Sequence, residues 1–183
     1  AKNPNAIYAC DPVMGNAKSG CHVSDNIPPL LRDKVVPAAD LITPNQFELG
    51  YLTERDVNDL DSTLAAVDAA REMGPSTVLV TSVERPDAPE DVMEMIAVDD
   101  KGKWIVRTPR LPFKRNGSGD VTAALFTGHY LRGGDAADAL ARTASSVYDM
   151  LRLTHEADSQ ELKLVEAQDY YANPQLQFNV EAL

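Results

Sequence analysis

The chain has 183 residues, 44% hydrophobic and 25% charged, with a formal net charge of −11 at pH 7; this is enough for one domain with a buried core. The acidic balance excludes a general nucleic-acid surface, which needs a basic footprint, but allows a small anionic ligand held by local backbone dipoles. No apolar run reaches the roughly 18 residues that span a bilayer, and Cys10 and Cys21, too few for a disulfide framework, fit a reducing compartment.

The first predicted element is a strand over residues 6–10 (AIYAC), an apolar run of the kind buried on both faces of a sheet. Lying so close to the first residue, with no signal peptide before it, it reads as the interior of a longer protein. Residues 40–43 (DLIT) are the next strand. A helix follows over 61–73, where Leu64, Val67, Ala70 and Met73 recur three apart along one side. Asp61 or Ser62 is placed to cap its start, and Gly74-Pro75 to stop it. Residues 77–82 (TVLVTS) form another buried strand, and the polar, proline-rich 84–91 (ERPDAPED) reads as an exposed loop. Strands over 93–98 and 103–108 flank Asp99-Asp100-Lys101-Gly102 and read as a hairpin. Helices are then expected over 120–131, over 135–153 with Asp135 as cap and Leu140, Val147 and Leu151 inward, and over 158–171. The last ten residues carry no clear pattern. Strands alternating with helices predict an α/β layered fold with a largely parallel sheet.

Four segments at predicted strand or helix ends carry chemistry. Gly117-Ser118-Gly119-Asp120 opens a helix. Glycines permit positive φ and close approach of a ligand, so successive N–H groups at the positive end of the helix dipole form an anion hole. A carboxylate at the rim of such a hole is placed to face a substrate hydroxyl and accept its proton, as in phosphoryl transfer; the bland alternative is Asp120 as a plain N-cap. Asp11-Pro12-Val13-Met14-Gly15 follows the first strand, where an acidic residue can meet a metal or phosphate-bound water, or simply end the strand as an Asx turn. Thr43-Pro44-Asn45-Gln46-Phe47-Glu48 follows the second strand. Asn45 and Glu48 share a face if a helix begins there; they suit either a hydrated Mg²⁺ and a phosphate oxygen or an ordinary helix start with a capping glutamate. Thr81-Ser82 closes the third strand with hydroxyls that suit phosphate or a monovalent cation. Chance capping does not predict several ligand-type clusters at the same end of successive strands.

Other signals are set aside. Gly15 to Gly20 has P-loop glycine spacing, but Cys21-His22 stands where Lys-Ser/Thr is required. His22, His129 and His155 lack metal-ligand spacing. Asn116-Gly117-Ser118 is a formal glycosylation sequon that a reduced acidic chain leaves unused. Lys114-Arg115 is a small basic spot, solvated or phosphate-contacting.

The motifs "YACDPVMG", "DLITPNQFELGYL", "GPSTVLVTS" and "NGSGDVTAAL" occur in this order and spacing. Together they resemble the C-terminal part of pyridoxal kinases of the ribokinase-like superfamily, over nearly the whole chain. The resemblance implies a three-layer sandwich, a mostly parallel central sheet flanked by helices, with residues 1–183 as the nucleotide-binding part of one domain and roughly the first third absent. It implies phosphorylation of the 5′-hydroxyl of pyridoxal by ATP and Mg²⁺, with Asp120 as base and Gly117, Ser118 and Gly119 as anion hole. Asp11 and Glu48 fall in the Mg²⁺–phosphate neighbourhood, Asn45 near phosphate, and Thr43, Thr81 and Ser82 at nucleotide and K⁺ positions. Thr108, Arg110, Leu111 and Phe113, within "TPRLPF", are similar to the adenine-lining part, and the 84–91 loop borders the nucleotide. The family also implies a cytoplasmic homodimer with no nucleic-acid or membrane partner. Ser118 replaces the commoner threonine, keeping a hydroxyl, and the approach over Phe113 to Asn116 is more polar than usual. Two alternatives stand beside this reading. One is another ribokinase-like kinase, for hydroxymethylpyrimidine or a sugar; pyrimidine kinases usually carry cysteine where Asp120 stands. The other is a non-catalytic nucleotide-binding fragment.

Overall fold

The structure is a computed structural model that describes residues 3, 5–113 and 115–183. In chain order its elements are β1 (Ala9–Cys10), β2 (Gly15–Asn16), β3 (Gly20–Cys21), α1 (Ile27–Leu30), β4 (Leu41–Ile42), α2 (Gln46–Thr53) and α3 (Leu60–Glu72). There follow β5 (Thr77–Val83), β6 (Val92–Asp99), β7 (Gly102–Pro109), α4 (Ser118–Gly133), α5 (Ala136–Glu156), α6 (Gln168–Ala172) and β8 (Val180–Ala182). Six strands form one sheet in the order β1-β4-β5-β6-β7-β8. β1, β4 and β5 run parallel, with Ala9 opposite Leu41 and Leu41 opposite Thr77. β6, β7 and β8 extend the sheet antiparallel, and β2 and β3 form a separate small ribbon.

The period of two in β5 divides the core. Val78 and Val80 pack with Leu49 and Leu52 of α2 and Val67 and Ala70 of α3. Leu79, between them, packs on the opposite face with Phe126 of α4 and Leu140 and Ala144 of α5. Helices thus cover both faces, and the expected α/β sandwich is the architecture that forms. Near its end β5 shifts register against β6 between Val80 and Val83, and Ser82 takes a left-handed φ of 54°. The extra residue of this bulge returns Val83 to the face of Val78 and Val80, which simple alternation would not do.

Several elements differ from the sequence expectation. The strand read over 6–10 shrinks to Ala9–Cys10. Ile7 and Tyr8 are 46% and 45% exposed, because β1 pairs only with β4 among the described residues. The cap of α3 is Asp59, not Asp61 or Ser62: Asp59 Oδ1 accepts from Ser62 N at 2.7 Å, and Ser62 Oγ accepts from Asp59 N at 3.0 Å. The helix read over 158–171 reduces to α6. Asp158 has a φ of 45°, and Ser159 Oγ binds both the carbonyl and the N–H of Glu161 at 2.7 and 3.3 Å, so local side-chain bonds displace the helical ladder. The unassigned end of the chain supplies β8, and α1 with the turns to Ala38 was not anticipated. Asp135 caps α5 as expected, accepting from Ala137 N and Asp138 N. The hairpin forms with Asp99 opposite Gly102. Lys114 lies outside the described residues. No helix among the described residues is long and apolar enough to cross a membrane.

One buried charge ties four segments together. Glu94 on β6 is 1% exposed and accepts from Arg85 Nε at 2.6 Å and Arg107 Nε at 2.9 Å, while Arg107 reaches Glu181 on β8 at 2.8 Å. Burial pushes the Glu94 carboxyl up, and the hydrogen bonds from Arg85 and Arg107 outweigh it, holding the group below its ordinary 4.5. A depressed carboxyl contributes stability above its unfolded value and loses it as pH falls through the folded one. We therefore expect Glu94→Gln to lower the unfolding free energy by about 3 kcal/mol at pH 7, measured by urea denaturation. The difference from wild type should shrink as the pH falls below 4.5.

Candidate active site

Because β1, β4 and β5 are parallel, the residues that follow them emerge at one edge of the sheet. Asp11 leaves β1 and Thr43 leaves β4, and Thr43 Oγ1 donates to Asp11 Oδ1 at 3.1 Å. Thr81, at the β5 bulge, pairs with Asn45 and donates its N–H to the Pro44 carbonyl at 3.0 Å. The neighbouring Ser82 is exposed and held at its positive φ, the kind of local strain that gathers at ligand sites.

Asn45 caps α2. Its Oδ1 accepts from Glu48 N at 3.0 Å, and Glu48 Oε2 accepts from Asn45 N at 2.9 Å. Glu48 is 4% exposed, and its other oxygen accepts from Met14 N and Gly15 N at 2.8 and 3.3 Å. Burial pushes the Glu48 carboxyl above its ordinary value, and the N–H groups of Met14, Asn45 and Gly15 partly offset this. Asp11 is also pushed up, first by burial and further by the charge of Asp120, against the Thr43 hydrogen bond. The two acidic loops and the start of α4 thus share one electrostatic environment.

α4 begins on Gly117, whose φ of 88° is left-handed and suits glycine alone among common residues. Asp120 is therefore not the N-cap; it is an exposed residue of the first helical turn. Among the described residues no side chain caps α4, so its first N–H groups lack a side-chain acceptor, as at helix starts that bind anions. A Cβ at Gly119 would meet no atom within 4 Å, whereas one at Gly117 would lie 3.4 Å from Leu162 Cδ1. Ser118 Oγ donates to the Arg115 carbonyl at 3.2 Å.

Two cavities flank this helix start. One, of about 610 Å³, is lined by Gly117, Asp120 and Val121 with Arg115 and Asn116, and on the far side by Gln160, Glu161, Leu162 and Leu164. The other, of about 300 Å³, lies between the ends of β1 and β4 and the face of α4 carrying Ala123, Ala124 and Thr127, and includes Cys10, Asp11 and Thr43. The sequence reading did not assign residues 160–164 to the site, because it took them as helix. The spacing of 123, 124 and 127 along one helix face was the available signal for the second cavity. Thr108, Arg110, Leu111 and Phe113 line neither of these two cavities. Arg110 bridges the two ends of the 84–91 loop, to Glu84 at 2.9 Å and to the Val92 carbonyl at 3.2 Å. Phe113 stacks on His155 at 4.9 Å with the Arg115 guanidinium over its ring at 5.1 Å, and Arg115 Nε donates to the Ser159 carbonyl at 2.7 Å. The approach to the glycine loop is thereby fastened to the end of α5.

Comparison with known proteins gives a consistent picture. A sequence model described as phosphomethylpyrimidine kinase matches residues 2–164. The chain is 68% identical to the pyridoxal kinase PdxY of Corynebacterium diphtheriae, over 99% of this chain and 64% of that protein. It is 69% identical to the pyridoxal kinase PdxY of Leifsonia xyli, over 98% of this chain and 64% of that protein. A solved pyridoxal kinase from Leishmania donovani, in complex with ADP and ginkgotoxin, superposes with a TM-score of 0.87 at 26% identity, over 97% of this chain and 62% of that one. The chain thus spans about 64% of the length of these curated relatives.

The electrostatics at Asp11 have a measurable consequence. A carboxyl whose folded pKa is raised costs stability wherever it is ionised, so its neutral isostere should stabilise the ligand-free protein above that pKa. We expect Asp11→Asn to raise the unfolding free energy at pH 7 by roughly 0.5–2 kcal/mol. Urea denaturation of the variant checks this.

Proposed function

The chain belongs to the phosphomethylpyrimidine kinase family, and on that premise we propose that it is the nucleotide-binding part of a single-domain, ATP-dependent kinase. The proposed reaction is phosphorylation of the 5′-hydroxyl of pyridoxal to pyridoxal 5′-phosphate. The observation that carries this reading is the uncapped start of α4 with the Asp120 carboxylate exposed on its first turn. Asp120 takes the hydroxyl proton as that oxygen attacks the γ-phosphorus of ATP, and the bond from that phosphorus to the β–γ bridging oxygen breaks to release ADP. The amides of Gly117, Ser118 and Gly119 receive the oxygens of the transferring group, whose charge they stabilise without reorganising. The names of the two bacterial relatives support pyridoxal as the acceptor.

Mg²⁺ fits the donor set. Among the described residues no group of three or more His, Cys, Asp or Glu is arranged to hold a metal by itself, which suits an ion carried largely by water and phosphate. Asp11, opposed in its ionisation by burial and by Asp120, is the carboxylate that would hold it, with Glu48 behind. Bound there, Mg²⁺ would neutralise phosphate charge. Asn45, Thr43, Thr81 and Ser82 are assigned to the phosphate and K⁺ side. Thr108, Arg110, Leu111 and Phe113, with the 84–91 loop, are assigned to the adenine side. A cytoplasmic homodimer completes the proposal.

The family description favours a second reading, phosphorylation of hydroxymethylpyrimidine; the aspartate at 120, where pyrimidine kinases usually carry cysteine, speaks for pyridoxal. ADP release by the full-length protein with Mg·ATP separates them: release is expected with pyridoxal and not with hydroxymethylpyrimidine or ribose. Asp120→Ala should lower kcat by about 10³-fold with ATP affinity intact by calorimetry. Lost ATP binding with normal turnover of the bound complex would remove Asp120 from the role of base.

A further inference from the structure

Asn45 and Glu48 have every polar atom of their side chains engaged by protein. Glu48 Oε1 accepts from Met14 N and Gly15 N at 2.8 and 3.3 Å, and Oε2 from Asn45 N at 2.9 Å. Asn45 Oδ1 accepts from Glu48 N at 3.0 Å, and Asn45 Nδ2 donates to the Gly15 carbonyl at 2.8 Å. The far side of the same loop is held as firmly. His22 N donates to the Met14 carbonyl at 3.0 Å, Gly15 pairs with Cys21, and a Cβ at Gly15 would lie 2.1 Å from the Gly20 carbonyl oxygen. Met14 itself is fully buried in the core.

We infer that Glu48 is a positioning residue, which with Asn45 clamps the Asp11–Gly15 loop onto the start of α2, and that it is not a direct metal ligand. Three converging N–H donors require an acceptor-only group, which a carboxylate is and a carboxamide is not. These amides and the positive end of α2 offset part of the cost of burying the charge and occupy both carboxylate oxygens. The loop is then fixed at both ends, by β1 at Cys10 and by the clamp at Met14 and Gly15. Asp11 lies between them with Oδ1 held by Thr43. The arrangement presets Asp11 before any ligand arrives. This inference goes beyond the kinase reading, since the clamp has the same geometry whatever the loop serves.

Amide hydrogen exchange of the full-length protein in EDTA, without nucleotide, tests it. The N–H groups of Met14, Gly15 and Asn45 are expected to be protected in the absence of metal and to change less than about twofold on adding Mg²⁺. Exchange at the unprotected rate in EDTA, with protection appearing only with Mg²⁺, would overturn the clamp. Glu48→Gln keeps one acceptor oxygen and turns its amide donors toward N–H groups. Either Asn45 or the Met14–Gly15 pair should then lose protection by at least about tenfold, the factor expected for one buried charge-assisted hydrogen bond. In the same variant KM for Mg·ATP should rise about tenfold while kcat falls less than about threefold. Protection retained at all three amides, or an unchanged KM beside a lowered Tm, overturns the positioning role. The wild-type exchange measurement decides the clamp even if the variant does not fold, and it does not depend on which substrate is phosphorylated.

Discussion

The parallel register of β1, β4 and β5 is the constraint on which the rest of the molecule depends. With Cys10 opposite Ile42 and Ile42 opposite Val78, the segments that follow these strands share one edge of the sheet. That alone brings Asp11 within hydrogen-bond reach of Thr43, and Thr81 beside Asn45. Each of these pairs spans more than thirty residues of chain, so none of them is created by local preference. The hydrophobic alternation of the strands supplies the energy that fixes the register, since a slip of one residue would turn Leu79 and Val80 to the wrong helical layers.

The longer helices begin in two different ways. α2, α3 and α5 each start with a side-chain cap, from Asn45, Asp59 and Asp135. These caps satisfy the orphan N–H groups of the first turn, and the termini are closed to ligands. α4 starts on a left-handed glycine with no side chain to fill that role. Its first amides have no side-chain cap, and the Asp120 carboxylate stands in the same first turn. A cap omitted at one helix and kept at the three other long helices among the described residues marks where the fold leaves donors for something else to satisfy.

Buried acids are accommodated by two distinct means. Glu94 is matched by guanidinium groups, and in serving as their common partner it joins the 84–91 loop, β7 and β8. Glu48 is matched by backbone amides. Asp99 belongs to the second kind: 4% exposed, it accepts from Lys101 N at 2.7 Å and Ala136 N at 3.2 Å, fastening the hairpin turn to the start of α5. In each case the donors that its oxygens find in the folded chain reduce the desolvation cost of the charge. These residues therefore couple segments far apart in sequence, and the arginine-paired acid lies on the sheet while the amide-paired acids lie at element ends.

Much of this was legible in the residues themselves. A buried apolar run marked β5, the Asp99–Gly102 turn the β6–β7 hairpin, residues three apart α3, and a cap with inward apolar residues α5. Glycine, proline and asparagine marked the loops that carry the site, because their conformational limits act within a few residues. The cap of α3 was not legible: Asp59, Asp61 and Ser62 are near-equivalent caps, and only the placed N–H groups choose between them. The helix read after Asp158 failed because Ser159 offers the backbone a closer partner. β8 was invisible because it is a strand only by virtue of the edge of β7, and Glu181 meets an arginine seventy-four residues away. By itself the sequence determined the elements with strong periodicity, the turn chemistry and the inventory of candidate acids and glycines, all of which arise from interactions between near neighbours in the chain. Only the tertiary structure decided which acids meet amides and which meet arginines, that residues 160–164 wall the cavity beside Asp120, and that Glu48 faces inward. Those outcomes depend on contacts between distant segments, whose geometry exists only once the sheet has set their distance and direction.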